Sequence, residues 1–363
     1  MISSPSFFML HIIFYISIGN NKLVWNWRDI MNGKVGIPRG MLYYDYYLLW
    51  KGFFNNLGVE VITSPKTNKD ILNMGVLSCV DEACLPVKVF HGHVDYLKDK
   101  VDYIFIPKFI SIYKMEYCCP KHLGLPDMIK HSVEGLPEVI APIINLRKST
   151  NSLRKSILYT GKYFTNRTSR ILKAYDKAYK RFVEYNELLA HGVIPIDAVG
   201  LSDSINLKTK GHQEGYKTNI LLLGHSYNIY DDYINMNIAN KLKKSNIKII
   251  TAEMVDEVVT RRYTSKLSKR MFWTHGQRIV GSAFSLIEAG NIDGIIYVSA
   301  FGCGLDSVLM DLVERKAKKH RVPFTLLTID EQTGEAGINT RIEAFVDMLE
   351  WRDNIEDNIS THG

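Results

Sequence analysis

Short apolar runs alternate with stretches of helical period along most of the chain. Residues 34–39 form an apolar run ending in Pro38 and Arg39, which predicts a first strand. Residues 43–57 carry apolar side chains around much of a helical wheel, and Gly58 supplies the C-cap. A second strand is expected over 59–63 and a short helix over 68–74, closed by Gly75. The next helix should run over 85–98, with Pro86 tolerated in its first turn, where no amide donor is needed. Strands are expected over 101–107 and 139–144. From 165 to 190 the pattern is helical, long and charged, with Ile171, Leu172, Tyr175, Tyr179, Phe182 and Leu189 at spacings that form one face. The polar stretch 203–217 reads as an exposed loop. Strands over 218–223, 247–251, 294–299 and 324–329 then alternate with helices over 233–243, 273–289, 306–319 and 338–351.

This rhythm is that of parallel sheets wrapped by helices. It predicts two α/β domains joined by a long helix, with strand ends from both around an interdomain cleft. The boundaries it sets are an N-terminal domain at 31–150, a connecting helix and loop at 151–217, a C-terminal domain at 218–353 and a tail at 354–363. Residues 1–30 are expected to stand outside the fold. Within them Pro5 to Ile18 is strongly apolar, yet shorter than the roughly 20 residues that cross a bilayer, and no Lys or Arg precedes it. An upstream extension, with Met31 as the true start, or a weak membrane-associated segment would both explain it.

Composition narrows the class. The 363 residues are 46% hydrophobic and 23% charged, with net charge +7, which is a globular and moderately basic chain. No basic block carries aromatics at a spacing that tracks a phosphate backbone, so nucleic acid is not an expected partner. Five cysteines fit no small disulfide scaffold; free thiols in a reducing cytoplasm suit them better.

Three of those cysteines stand beside Pro or Gly where an element should begin or end: Cys84-Leu85-Pro86, Cys119-Pro120 and Gly302-Cys303-Gly304. Thiols so placed from distant parts of the sequence can converge on a metal or redox group, but buried packing is the ordinary fate of a free cysteine. With no Cys-x-x-Cys pair, spacing leaves both open. Gly334-Glu335-Ala336-Gly337 lacks the Lys-Ser/Thr ending of a phosphate loop, and no Gly-x-Gly-x-x-Gly opens a helix after the first strand. No nucleotide is expected on this chain itself.

Gly36-Ile37-Pro38-Arg39, the run from Asp81 to Lys88, Gly92-His93-Val94, Cys119-Pro120-Lys121, Gly124-Leu125-Pro126-Asp127, Phe301-Gly302-Cys303-Gly304 and Gly334-Glu335-Ala336-Gly337 occur in order. In these phrases the chain resembles the acyl-CoA dehydratase activase-related proteins of the 2-hydroxyacyl-CoA dehydratase and benzoyl-CoA reductase superfamily. The resemblance implies Rossmann-like domains around a cleft that holds a 4Fe-4S cluster on three cysteines, leaving one iron open. It also implies an ATP-dependent activase of the actin/Hsp70 type as electron donor, and an acyl-CoA as substrate. A dimer is compatible with it. The cysteines that match are Cys84, Cys119 and Cys303, with Gly302 and Gly304 offering amides toward the sulfurs; Cys79 and Cys118 lie outside the matching phrases. Three cysteines suit one cubane and fall short of the six that a double cubane asks of one chain.

Beside these ligands, Glu82 suits proton transfer or helix capping, Lys88 either faces the cluster or is solvated, and His225 follows a strand where a ligand-facing group belongs. His91 and His93 suit either acid or structural roles. Two other uses of the same thiols remain, an electron-transfer or scaffold subunit with a closed cluster, and a structural zinc-thiolate site.

Overall fold

The computed structural model describes residues 33–149, 151–194 and 215–360. The extension at 1–30 and most of the polar loop at 203–217 lie outside them. The protein is a mixed α/β molecule whose described strands all pair in parallel. In the first half β1 (Lys34–Ile37), β2 (Glu60–Thr63), β3 (Tyr103–Phe105) and β5 (Glu138–Ile140) form a sheet in the order β2-β1-β3-β5. In the second half β7 (Thr218–Gly224), β8 (Ile247–Ile250), β9 (Gly294–Ala300) and β10 (Phe324–Ile329) form one in the order β10-β9-β7-β8. The run expected over 139–144 is broken by Pro142, so its second part becomes β6 (Ile143–Asn145), which pairs with β4 (Lys108–Ser111) in a separate two-stranded ribbon.

Helix α1 (Tyr43–Leu57) lies between the halves. Its wheel is apolar nearly all round because both sides are covered. Trp50 and Phe54 meet Phe105 at ring separations of 4.7 and 5.1 Å, and Tyr44 reaches Tyr230 at 5.9 Å. One apolar core therefore runs from Val35 and Phe105 through Phe53 and Phe54 to Ile220, Ile296 and Leu327. Fully burying a side chain such as Phe53 is worth about 2–3 kcal/mol. Gly58 ends α1 at φ 81°, the left-handed C-cap that its position predicts.

Two expectations change. The short helix does not stop at Gly75: α2 (Lys69–Leu77) runs through it, because Gly75 and Gly92 of α3 (Leu85–Leu97) are the points where the two helix backbones touch. A Cβ on Gly75 would stand 1.9 Å from the carbonyl oxygen of Lys88. The helix expected over 233–243 is confined to Ile238–Lys244 (α8), since Asp231 turns the preceding backbone by accepting from the amides of Tyr233 and Ile234. The charged helix α6 (Thr168–Ala190) follows α5 (Asn151–Gly161), which the polar pattern of 151–161 conceals, and packs along α1. There Asn56 Nδ2 donates to Ala174 O at 3.1 Å and Arg170 donates to Leu57 O at 2.8 Å.

Candidate metal centre

Each of the three cysteines caps a helix. Cys84 precedes α3, Cys119 precedes α4 (Pro120–Ser132) and Cys303 precedes α11 (Gly304–Lys319); Pro86 and Pro120 occupy first-turn positions that need no amide donor. Extended backbone at the cap turns each thiol back over the first free amides of its helix. The amide of Asp306 approaches Cys303 Sγ at 3.5 Å; the amide of Val87 offsets part of the effect of burial on Cys84, and those of Lys121 and His122 do the same for Cys119. The donors to Cys303 are thus the residues two and three beyond it, Leu305 and Asp306, the positions a capping side chain reaches. Gly302 contributes its left-handed backbone, φ 74°, which turns the chain out of β9 into the cap. No side chain lies within 4 Å of where a Cβ on Gly302 or Gly304 would stand.

Electrostatic effects link Cys84 to both Cys119 and Cys303. Burial raises the pKa of Cys84, and the neighbouring Cys119 raises it further. Burial also raises Cys303, with Asp306 and Cys84 adding to the effect. The buried Tyr227 stands among all of them: desolvation, then the charges of Cys303, Asp306, Cys84 and Cys119, hold its hydroxyl protonated. Half-buried thiols over helix N-termini and amides, held protonated in the metal-free chain, form a donor set that would ionise on binding a cationic iron or zinc centre. The residues present therefore fit a thiolate-ligated group.

Behind the thiols lies a group of imidazoles. His225 stacks on Tyr227 with ring centroids 5.0 Å apart, and His275 stands 6.0 Å from both His225 and His122. The Nε2 atoms of all three histidines are buried and without a hydrogen-bond partner among the described residues. Burial and the neighbouring imidazoles push His122 well below the usual histidine range and His275 down to about 3. Asp306, fully buried, accepts from Tyr297 Oη at 2.8 Å and Ser299 Oγ at 3.3 Å, and lies 3.4 Å from His225 Nε2. Among the described residues, the one group of three ligand atoms mutually within 4.8 Å is His225, Cys303 and Asp306. Sequence reasoning reached His225 but missed His122, His275, Tyr227 and Asp306. The available signal was the spacing Cys119 to His122 and Cys303 to Asp306, which places cap and third helical residue on one face.

Lys88 is buried and donates to Glu331 at 2.6 Å, so it is an ion pair between the halves and not a solvated lysine. Glu82 is exposed in the turn before Cys84. His91 Nδ1 lies 2.7 Å from Val87 O in its own helix. His93 Nε2 lies 3.0 Å from Thr67 Oγ1, which in turn donates to Asp231. Cys118 is buried and its thiol is pushed up to about 12, while Cys79 is half-buried in the loop after α2.

Residues 34–255, more than half of the chain, match the CoA enzyme activase uncharacterised domain. The chain belongs to this activase-related family. Its superfamily is that of the 2-hydroxyacyl-CoA dehydratases, and residues 231–349 match the 2-hydroxyglutaryl-CoA dehydratase D-component. No curated protein matches the chain. Cys84, Cys119 and His225 fall in the activase-related match, Cys303 and Asp306 in the dehydratase match, so the centre of this family member draws on both. No helix among its described residues is long and apolar enough to cross a membrane.

Proposed function

We propose that the chain is an iron-sulfur redox component of the 2-hydroxyacyl-CoA dehydratase type, with a 4Fe-4S cluster on Cys84, Cys119 and Cys303. The electrostatic coupling of Cys84 with Cys119 and Cys303 beside the buried Tyr227, in regions that match two family models, supports the proposal. Two Rossmann-like domains would then meet at a cleft over the cluster. An ATP-dependent activase of the actin/Hsp70 type would deliver the electron, in a reducing cytoplasm, and an acyl-CoA would be the substrate.

The group supplies single-electron transfer when bound. The chain supplies the rest: thiolates hold the metal, the amides at the heads of α3, α4 and α11 hydrogen-bond to sulfur, and the imidazoles with Tyr227 keep bulk water from the inner side. Zinc fits the spacing less well. One Zn2+ with thiolates at about 2.3 Å needs sulfurs about 3.8 Å apart, whereas the three sulfurs are not among the ligand atoms within 4.8 Å of one another. A cubane spaces its terminal sulfurs more widely.

Anaerobic purification with iron, sulfide and zinc analysis tests the proposal, repeated on Cys84→Ser, Cys119→Ser and Cys303→Ser. Iron and acid-labile sulfide in equal amounts, largely lost in each variant, are expected. Zinc alone, or iron retained in all three variants, would overturn it.

A further inference from the structure

A second set of unanswered polar atoms borders a cavity of about 280 Å³ where the two halves meet. The cavity lies past the carboxyl ends of parallel strands, the place where such sheets bind ligands. Arg39 comes two residues after β1, Thr67 from the loop after β2, and Tyr230 and Asp231 follow α7 (Ser226–Ile229), the short turn after β7. Most of the charges here are matched. Lys66 donates to Asp232 at 3.1 Å, and Asp231 accepts from Thr67 Oγ1 and from the amides of Tyr233 and Ile234. Arg39 has no carboxylate partner among the described residues, and its Nε is buried without a hydrogen-bond acceptor. Its guanidinium carbon stands 5.3 Å from the centre of the Tyr43 ring, and the buried Tyr43 hydroxyl also lacks a hydrogen-bond partner. The Arg39 charge acts on Tyr43 and Tyr44 together, offsetting part of the effect of their burial.

These features define the chemistry of an occupant. A planar guanidinium meets a carboxylate with two parallel hydrogen bonds, and a buried phenol adds a third donor. One unmatched cation calls for one negative charge, and the carboxylates of Asp231 and Asp232 on the same cavity disfavour a doubly charged phosphate. The buried rings of Tyr43, Tyr44 and Tyr230 supply apolar wall. A cavity of about 150 Å³ holds benzene, so a ring-sized body fits here together with its acid group. We propose that this cavity binds an organic monocarboxylate with a compact apolar body, its carboxylate held by Arg39 and the Tyr43 hydroxyl. The site stands whether or not the cysteines carry a cluster.

Saturation-transfer NMR titrations on the full chain, purified anaerobically, test the assignment with cyclohexanecarboxylate and its neutral amide as probes and inorganic phosphate as competitor. The acid is expected to bind at least about tenfold more tightly than the amide, as hydrogen bonds to a charged group require, and an equal concentration of phosphate should leave it in place. Arg39→Gln should abolish the preference for the acid. Tyr43→Phe keeps the ring and removes only the hydroxyl, so it should weaken the acid about fivefold with the urea midpoint unchanged. Acid bound no better than amide, a preference that survives Arg39→Gln, or displacement by phosphate would each overturn the proposal. Where Arg39→Gln fails to fold, Tyr43→Phe decides: an unchanged affinity for the acid would remove the site.

Discussion

Two buried polar groups join the halves of this molecule, and they differ in whether their atoms are partnered. Around Glu116 every charge is answered: the carboxylate accepts from Arg261 and from Gln277 Nε2 at 2.6 Å, and Thr264 hydroxyl reaches Gln277 Oε1 at 3.0 Å. A parallel bridge beside it, in which Tyr117 N donates to Phe272 O at 2.8 Å, ties the loop before Cys119 to the segment entering α10 (Thr274–Ala289). Around His225 the balance differs: its Nε2 lies 3.4 Å from an Asp306 oxygen, and the buried Nε2 atoms of His122 and His275 have no hydrogen-bond partner among the described residues. A closed network holds a fold together, whereas an open one in the interior signals an occupant. The first fastens the two halves, and the second lies where the proposed centre would sit.

The sharpest break between the two regions should come from a pair of variants. Cys303→Ser is expected to lose most of the bound iron while the urea midpoint of the metal-free chain stays within about 1 kcal/mol of wild type. Glu116→Ala should do the reverse, losing about 3 kcal/mol because Arg261 and Gln277 are left without their buried acceptor, with iron per folded chain unchanged. Iron analysis and urea denaturation on both would expose any exchange of roles. Gly75→Ala comes next. It must push α2 from α3 and should cost about 2 kcal/mol, with a smaller loss of iron because α3 presents Cys84.

Acidification separates the regions further. His93 and His275 fall to about 3 in the folded chain and His122 is also well below its unfolded value, all chiefly by burial. Between about pH 3 and 6.5 the unfolded chain binds protons that the folded chain does not, so these residues make stability rise with pH and fade on acidification. Asp231 acts against them. Burial lifts its carboxyl to about 6, so from about pH 4 to 6 the folded chain holds a proton that the unfolded chain has released. His91 is also lowered by burial, and Asp45, raised by burial, sides with Asp231; four histidines against two carboxyls leave a net uptake of protons on unfolding near pH 5, read from urea midpoints of the metal-free chain across that range. His275→Phe should reduce this by about one. The smallest effect is expected of His122→Leu, which exchanges an unpartnered imidazole for an apolar group and should change metal-free stability by less than about 1 kcal/mol; a large loss would mean that the imidazole has a structural partner.

Much of the architecture was legible because strand and helix periods differ and Gly58 and Pro86 punctuate them. Gly75 misled because a glycine that admits a neighbouring backbone looks, in sequence, like one that ends a helix. Helix α5 was hidden by its polar exterior, and α4 by Gly124 and Pro126 inside it. Of the centre, the cysteines could be read because Pro or Gly flanks each one. His122, His275 and Tyr227 could not, since their meeting depends on how two sheets and α1 stack, which no local period records. Lys88 was open to two interpretations for the same reason: its partner, Glu331, is supplied by the other half.

The central claim is that one polynuclear centre sits on sulfurs from both halves. Iron X-ray absorption on the anaerobically reconstituted chain tests it most directly. Sulfur scattering together with the short iron–iron path of a cubane is the predicted result, and a spectrum of isolated iron with no iron–iron path would contradict it.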